Sequence, residues 1–181
     1  MNRLARLPEL QPARRQAPAA LAALESAHAA ACRAIDPMLA GALRRRVAES
    51  LGAPLPVGPA SPRTGQEPAC FDFADQFVVS VTGIAEGHRG AVADRLGREQ
   101  VHELARMLYV FDMTDRLVLS LGRLFPPRSE DGAHRDADPV HQPLGAAVDG
   151  LHAAAMQLDG LDPSTTELVR LHCARYHDCK T

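Results

Sequence analysis

The sequence predicts an all-α protein, on three observations. Apolar residues make up 46% of the 181, aromatics only 4%, and tryptophan is absent. A core must therefore be built mainly from Ala, Leu and Val, and Ala and Leu favour helix. Apolar positions recur at helical spacing over long stretches. The Asp-Pro dipeptides at 36–37 and 162–163 each open such a stretch. Asp is a good N-cap and Pro is favoured at the first helical position.

Two stretches read as exposed linkers. "PLPVGPASPRTGQEP" (54–68) carries five prolines and two glycines, and "PPRSEDGAHRDADPVHQP" (126–143) has almost nothing to bury. They leave three packed pieces. In 17–52, "APAALAALESAHAAACRAI" predicts a helix with Leu21, Leu24, Ala31 and Ile35 on one face. After Asp36-Pro37 a second helix runs through "MLAGALRRRVAESL" to Gly52, a suitable C-cap. Arg44, Arg45 and Arg46 within it read as a solvated or salt-bridged face. In 70–125, "FDFADQFVVSVTGI" has strand propensity at "FVVSV". Phe71, Ala74, Phe77, Val78, Val81 and Ile84 nevertheless fall at helical spacing, which predicts helix. "REQVHELARMLYVFDMTDRLVLSLGRLF" is the strongest helix, with Val101, Leu104, Ala105, Leu108 and Tyr109 opening its stripe. Asp112, Asp115 and Arg116 interrupt it and read as a helix-face or inter-subunit ion pair. In 144–181, "LGAAVDGLHAAAMQL" is a helix, and a second follows Asp162-Pro163.

The first and third pieces repeat one pattern. "HAAACRAIDP" (28–37) resembles "HAAAMQLDGLDP" (152–163), and the helices after each Asp-Pro align without gaps at an offset of 126. Arg44 then matches Arg170, Ala48 matches Ala174, and Leu43 and Val47 match Val169 and Cys173. Glu167 and Cys179 align with Gly41 and Ala53, so reactive groups stand in the second copy alone. A helix, His-Ala-Ala-Ala, Asp-Pro and a helix in the same order points to duplication.

In "ELVRLHCARYHDCKT" (167–181), Glu167 precedes Cys179 by twelve. This resembles the carboxymuconolactone decarboxylase and alkylhydroperoxidase AhpD-like family, whose motif is Glu, eleven residues, Cys-x-x-Cys, three residues and His. The "DP…ELVRL" lead-in is similar to the family's helix before the motif. "FADQFVVSV…QVHELARMLYVFDMTDRL" is similar to the helices after it. The resemblance implies an AhpD-like helical module with a degenerate motif over 1–125, a linker over 126–143, and over 144–181 the first helices of a second module. The second Cys and the His of the motif fall beyond Thr181, so the centre is expected to be cut inside the motif. By the resemblance Cys179 is the resolving thiol of a pair whose second member attacks a hydroperoxide. The implied function is thiol-dependent hydroperoxide reduction, weak or absent in this chain. Alternatives are a decarboxylase acting on a small lactone and a non-catalytic helical scaffold.

The residues themselves allow that chemistry. "YHDCKT" would put Asp178 at an N-cap and Cys179 in a first turn, where a thiolate is favoured. An unbroken helix would hold Glu167 and Cys179 about 120° apart, so a break near His177-Asp178 is needed for them to meet. Glu167 would then act as base, through His172, His177 or water. The plainer reading of Glu167 is a first-turn carboxylate paired with Arg170. His172, Cys173, His177 and Cys179 match no familiar zinc spacing. Cys173, Cys32 and Cys70 read as small buried residues, and His134 and His141 as solvated.

The formal net charge of −2 gives no electrostatic reason for nucleic acid or anionic membrane as partner. No run of about 18 apolar residues and no signal-peptide stretch is present, and the four cysteines do not have the spacing of a secreted disulfide scaffold. No Gly-rich phosphate loop or G-x-S-x-G elbow occurs. A cytoplasmic protein with reduced thiols and no cofactor is expected. Its partners are expected to be a hydroperoxide or lactone, a dithiol reductant, and further copies of itself. The 144–181 helices carry an apolar stripe that must be covered by the first module or by another chain.

Overall fold

A computed structural model describes residues 4, 7–53, 68–126 and 141–176, and these form helices and turns with no strand among them. The helices are α1 (Gln11–Gln16), α2 (Pro18–Ala31), α3 (Pro37–Leu51), α4 (Pro68–Val79), α5 (Glu86–Leu96), α6 (Arg98–Leu124), α7 (Leu144–Met156) and α8 (Pro163–Tyr176). The all-α prediction holds. Among the described residues no helix is long and apolar enough to cross a membrane.

α6 is the axis of the fold. Its 27 residues span about 40 Å. α2, α3, α5 and α7 all pack on it, with α4 held through α3 and α5. Leu104, Met107, Leu108, Val110 and Phe111 lose all contact with solvent. They meet Leu21 and Leu24 of α2, Leu43 and Val47 of α3, Phe73 of α4 and Val92 of α5 in one continuous core. α7 belongs to the same core through Leu144, Ala147, Val148 and Leu151. Its most extensive contact is with α2, the helix it repeats. Small residues on both helices, Ala27, Ala30 and Ala31 of α2 and Ala147 of α7, are buried.

The Asp-Pro signals act as expected at both places. Asp36 Oδ1 accepts from the Met38 and Leu39 backbone N–H groups, each at 3.0 Å. Asp162 Oδ1 accepts from Thr165 N at 3.0 Å, while the Thr165 hydroxyl donates to Oδ2. α3 ends at Gly52 (φ 67°), whose left-handed conformation lets Ala53 N reach Ala48 O at 2.9 Å and Gly52 N reach Glu49 O at 3.2 Å. The caps differ in what depends on them. Removing the first, Asp36→Ala, is expected to lower global stability by about 1 kcal/mol, because α3 is cooperative with the core. Asp162→Ala is expected to leave the urea midpoint unchanged, because α8 makes no extensive contact with any other described element.

The helix read over 71–84 stops at Val79. Ser80 is extended (φ −165°, ψ 111°) and Val81–Gly83 form a single 3₁₀ turn. β-branched Val78, Val79, Val81 and Thr82 followed by Gly83 make poor helix. The turn also swings Ile84 into the core while Val79 and Val81 face solvent. α1 and α5 had no reading in the sequence. α5 buries only Val92, too little to mark a stripe.

Two cysteine readings are corrected as well. Cys70 is buried, but Cys32 and Cys173 are exposed. Cys32 sits just past the last turn of α2, and Cys173 lies on α8, which makes no extensive contact with any other described element.

Candidate functional site

α8 carries two of the four residues read as catalytic. Glu167 and His172 both lie on its exposed surface. Five residues apart on a helix, they point about 140° from each other. His172 lines a shallow open groove with Leu168, Leu171 and Arg175, and Glu167 lines a separate one with Leu158, Leu161 and Asp162. The described structure therefore does not bring the two together. His177 and Cys179 lie outside the described residues.

The Glu167 carboxylate is engaged from both oxygens. Arg170 Nη2 donates to Oε1 at 2.6 Å and Arg170 Nε to Oε2 at 2.8 Å. Those hydrogen bonds hold the carboxyl below its ordinary range. Glu167 is thus an anion clamped by the residue that the plainer reading assigned to it, although it stands on the second turn of α8 and not the first. As a base it would first have to release Arg170.

The first copy of the repeat shows what its polar positions do when covered. Arg44, equivalent to Arg170, is buried under α6, where both terminal nitrogens of its guanidinium bind the two oxygens of Asp115. Burial pushes the Asp115 carboxyl up, and the guanidinium beside it pulls against that shift. The Arg44 guanidinium also lies over the Phe111 ring, 5.5 Å from its centroid. The arginine run is thus salt-bridged, as read, but Arg44 is not on a solvated face. Arg46 pairs with Asp75 of α4 at 2.6 Å. Asp112 and Arg116 form the expected helix-face pair at 2.8 Å, and Arg116 also donates to the Val78 carbonyl. Gly41 is exposed and Ala53 buried, so neither motif-equivalent position of the first copy holds a reactive group.

His28 is the functional-type side chain that sequence reasoning passed over. Its ring packs on Phe111 with centroids 5.5 Å apart, its Nδ1 lies 3.8 Å from Cys32 Sγ, and its Nε2 is buried without a partner. Burial, with the Arg44 charge adding to it, lowers its pKa from 6.5 to about 3. A base that weak cannot draw the proton from a thiol of ordinary pKa near 8.5, so the histidine and Cys32 do not form an activated pair. Its repeat partner His152 meets the neighbouring aromatic of the same helix: Nε2 lies 3.1 Å from the Tyr109 hydroxyl. The two His-Ala-Ala-Ala segments thus dock on α6 in the same way, one inside and one at the surface. The recurrence of "HAAA" was the signal for this. Among the described residues no three His, Cys, Asp or Glu side chains gather as metal ligands would.

Comparison with known proteins adds relatives of similar sequence. Two uncharacterized proteins from two strains of Mycobacterium tuberculosis are each 31% identical to the chain over 153 residues, covering 80% of it and 53% of the relative. The chain spans about half the length of these curated relatives. No family model and no solved structure matches it.

Proposed function

We propose that the chain is a member of the alkylhydroperoxidase and carboxymuconolactone decarboxylase family, with Glu167, His172, His177 and Cys179 contributing to a thiol centre that reduces hydroperoxides at the expense of a dithiol reductant. The observation that carries the reading is α8 itself. It is a helix opened by a capped Asp162-Pro163 and presents Glu167 on its second turn, in the order that the motif requires. In the 181 residues Cys179 stands without the second thiol of the motif, and the activity proposed for this chain is weak or absent. The reading places the protein in the cytoplasm, with reduced thiols, as an assembly of identical subunits.

Two measurements test it. The alkylation rate of Cys179 against pH is expected to report a thiolate formed below the ordinary 8.5. Without the second thiol any consumption must run through Cys179 itself: its thiolate takes the terminal oxygen of the hydroperoxide, releasing the alcohol, and the dithiol reductant returns the sulfenic acid to thiol with formation of its own disulfide and water. Such consumption is expected to be weak, lost in Cys179→Ser, and reduced on the order of 100-fold in Glu167→Gln. An ordinary thiol titration, with consumption indifferent to both substitutions, sinks the proposal. The closed Glu167–Arg170 pair favours a second reading, a helical scaffold without catalysis, which predicts that second outcome. A small lactone offered to the same protein tests the decarboxylase branch.

A further inference from the structure

α3 and α8 are the equivalent helices of the repeat, and their surroundings differ. On α3, Ala40, Leu43, Arg44, Val47 and Ala48 form the face that α4 and α6 cover, and none is more than 9% exposed. The matching residues of α8 are Thr166, Val169, Arg170, Cys173 and Ala174. At about 100° per residue they fall within an arc of about 140°, so they too make one face. Val169 is 52% exposed, Thr166 and Cys173 are exposed, and α8 makes no extensive contact with any other described element. A helix of 14 residues is marginal in water when isolated, so the face calls for a cover.

The first copy shows what kind of cover fits. Arg44 is accommodated in the core because Asp115, standing in the apolar stripe of α6, meets it with both oxygens. Arg170 sits within the α8 face as Arg44 does within that of α3, so a cover that buries Val169 and Cys173 takes it in as well. A guanidinium leaves water at great cost unless a carboxylate goes with it. Glu167 is badly placed to follow. It stands about 20° outside the arc, and its counterpart Gly41 stays exposed beside the covered face of α3. α6 cannot serve twice, because Asp115 is buried and held by Arg44. The carboxylate must come from another helix. The curated relatives, about half of whose length the chain spans, have room for one.

We propose that the Arg170 face of α8 is the docking site of a helix of the α6 type, apolar along its stripe with one carboxylate in it, and that this carboxylate takes Arg170 from Glu167. Val169 and Cys173 then pack under that helix as Leu43 and Val47 pack under α4 and α6. Glu167 is left in water without its clamp. The docking rests on the repeat alone. Only the use of the freed Glu167 as a base rests on the thiol centre proposed above, and hydroperoxide consumption in Cys179→Ser tests that centre separately.

The probe is a synthetic peptide of residues 98–124, added to the whole chain while alkylation of each cysteine is followed by mass spectrometry. At about 100 μM peptide, Cys173 is expected to react roughly tenfold more slowly, and Cys32, exposed just past α2, as before. The same peptide carrying Asp115→Asn, or the chain carrying Arg170→Ala, is expected to give docking roughly tenfold weaker. Glu167→Gln is expected to tighten docking several-fold, because it removes the competitor for Arg170. A Cys173 left open overturns the proposal, whether the peptide stays free or exchanges into the core and exposes the buried Cys70. Protection indifferent to Asp115→Asn and Arg170→Ala overturns the carboxylate. Docking unchanged or weaker in Glu167→Gln overturns the transfer of Arg170.

Discussion

Asp115→Ala is expected to cost about 3 to 5 kcal/mol of folding stability, the range for breaking a buried ion pair from one side. Asp115 is 2% exposed and Arg44 9%. Both oxygens and both terminal nitrogens of the pair are engaged with each other. Alanine removes the counter-charge and leaves a guanidinium under α6 beside the Phe111 ring and near the buried His28. A domain is stable by roughly 5 to 15 kcal/mol in all, so the variant sits near its unfolding limit. The measurement is the urea midpoint at constant m value. The paired variant Arg44→Met, Asp115→Leu should recover most of the loss, because it also removes the dehydration of both charges. A loss below about 1 kcal/mol in Asp115→Ala would show that Arg44 swings out to water and that the pair is not buried in any energetic sense.

The second large effect is acid instability through His28. The unfolded chain takes up a proton on this residue near pH 6.5, and the folded chain refuses it until about 3. Between those values the unfolded state binds more protons, so stability must fall as pH falls. Each pKa unit is worth about 1.4 kcal/mol, which puts the full loss near 5 kcal/mol at most. The contribution is absent above pH 6.5 and complete below 3. The check is the difference between the pH profiles of wild type and His28→Leu, which separates His28 from the carboxylates titrating in the same range. The variant also removes the orphaned Nε2, so it should be no less stable at neutral pH and clearly more stable at pH 4. Parallel profiles would refute the assignment.

These two residues show where reading the chain reaches its limit. Helix-forming composition, the stripe of α6 and the two Asp-Pro caps are local properties, and each produced the expected element. Gly52 ended α3 as read, because glycine takes the left-handed conformation that closes a helix without a Cβ penalty, which is a local property. Local pattern was misleading at 80–84, where helical spacing continued but a β-branched run and the burial of Ile84 broke the helix. It was silent at α5, whose single buried valine leaves no periodic trace. For the thiols, burial depends on what lies across from a position. Cys173 aligns with the buried Val47, yet is exposed because no described element covers α8 as α4 and α6 cover α3.

By itself the sequence determined that the protein is helical, where two of its helices start, and that a His-Ala-Ala-Ala segment followed by Asp-Pro and a helix occurs twice. Only the tertiary structure decided that the two repeats meet along α2 and α7, that Arg44 and Asp115 find each other across 71 residues, and that Glu167 is held by Arg170 and turned away from His172. The physical reason is range. Propensity and capping act within a turn or two of one residue, whereas burial, and with it the charge state of His28 and Asp115, is set by helices far away in the chain.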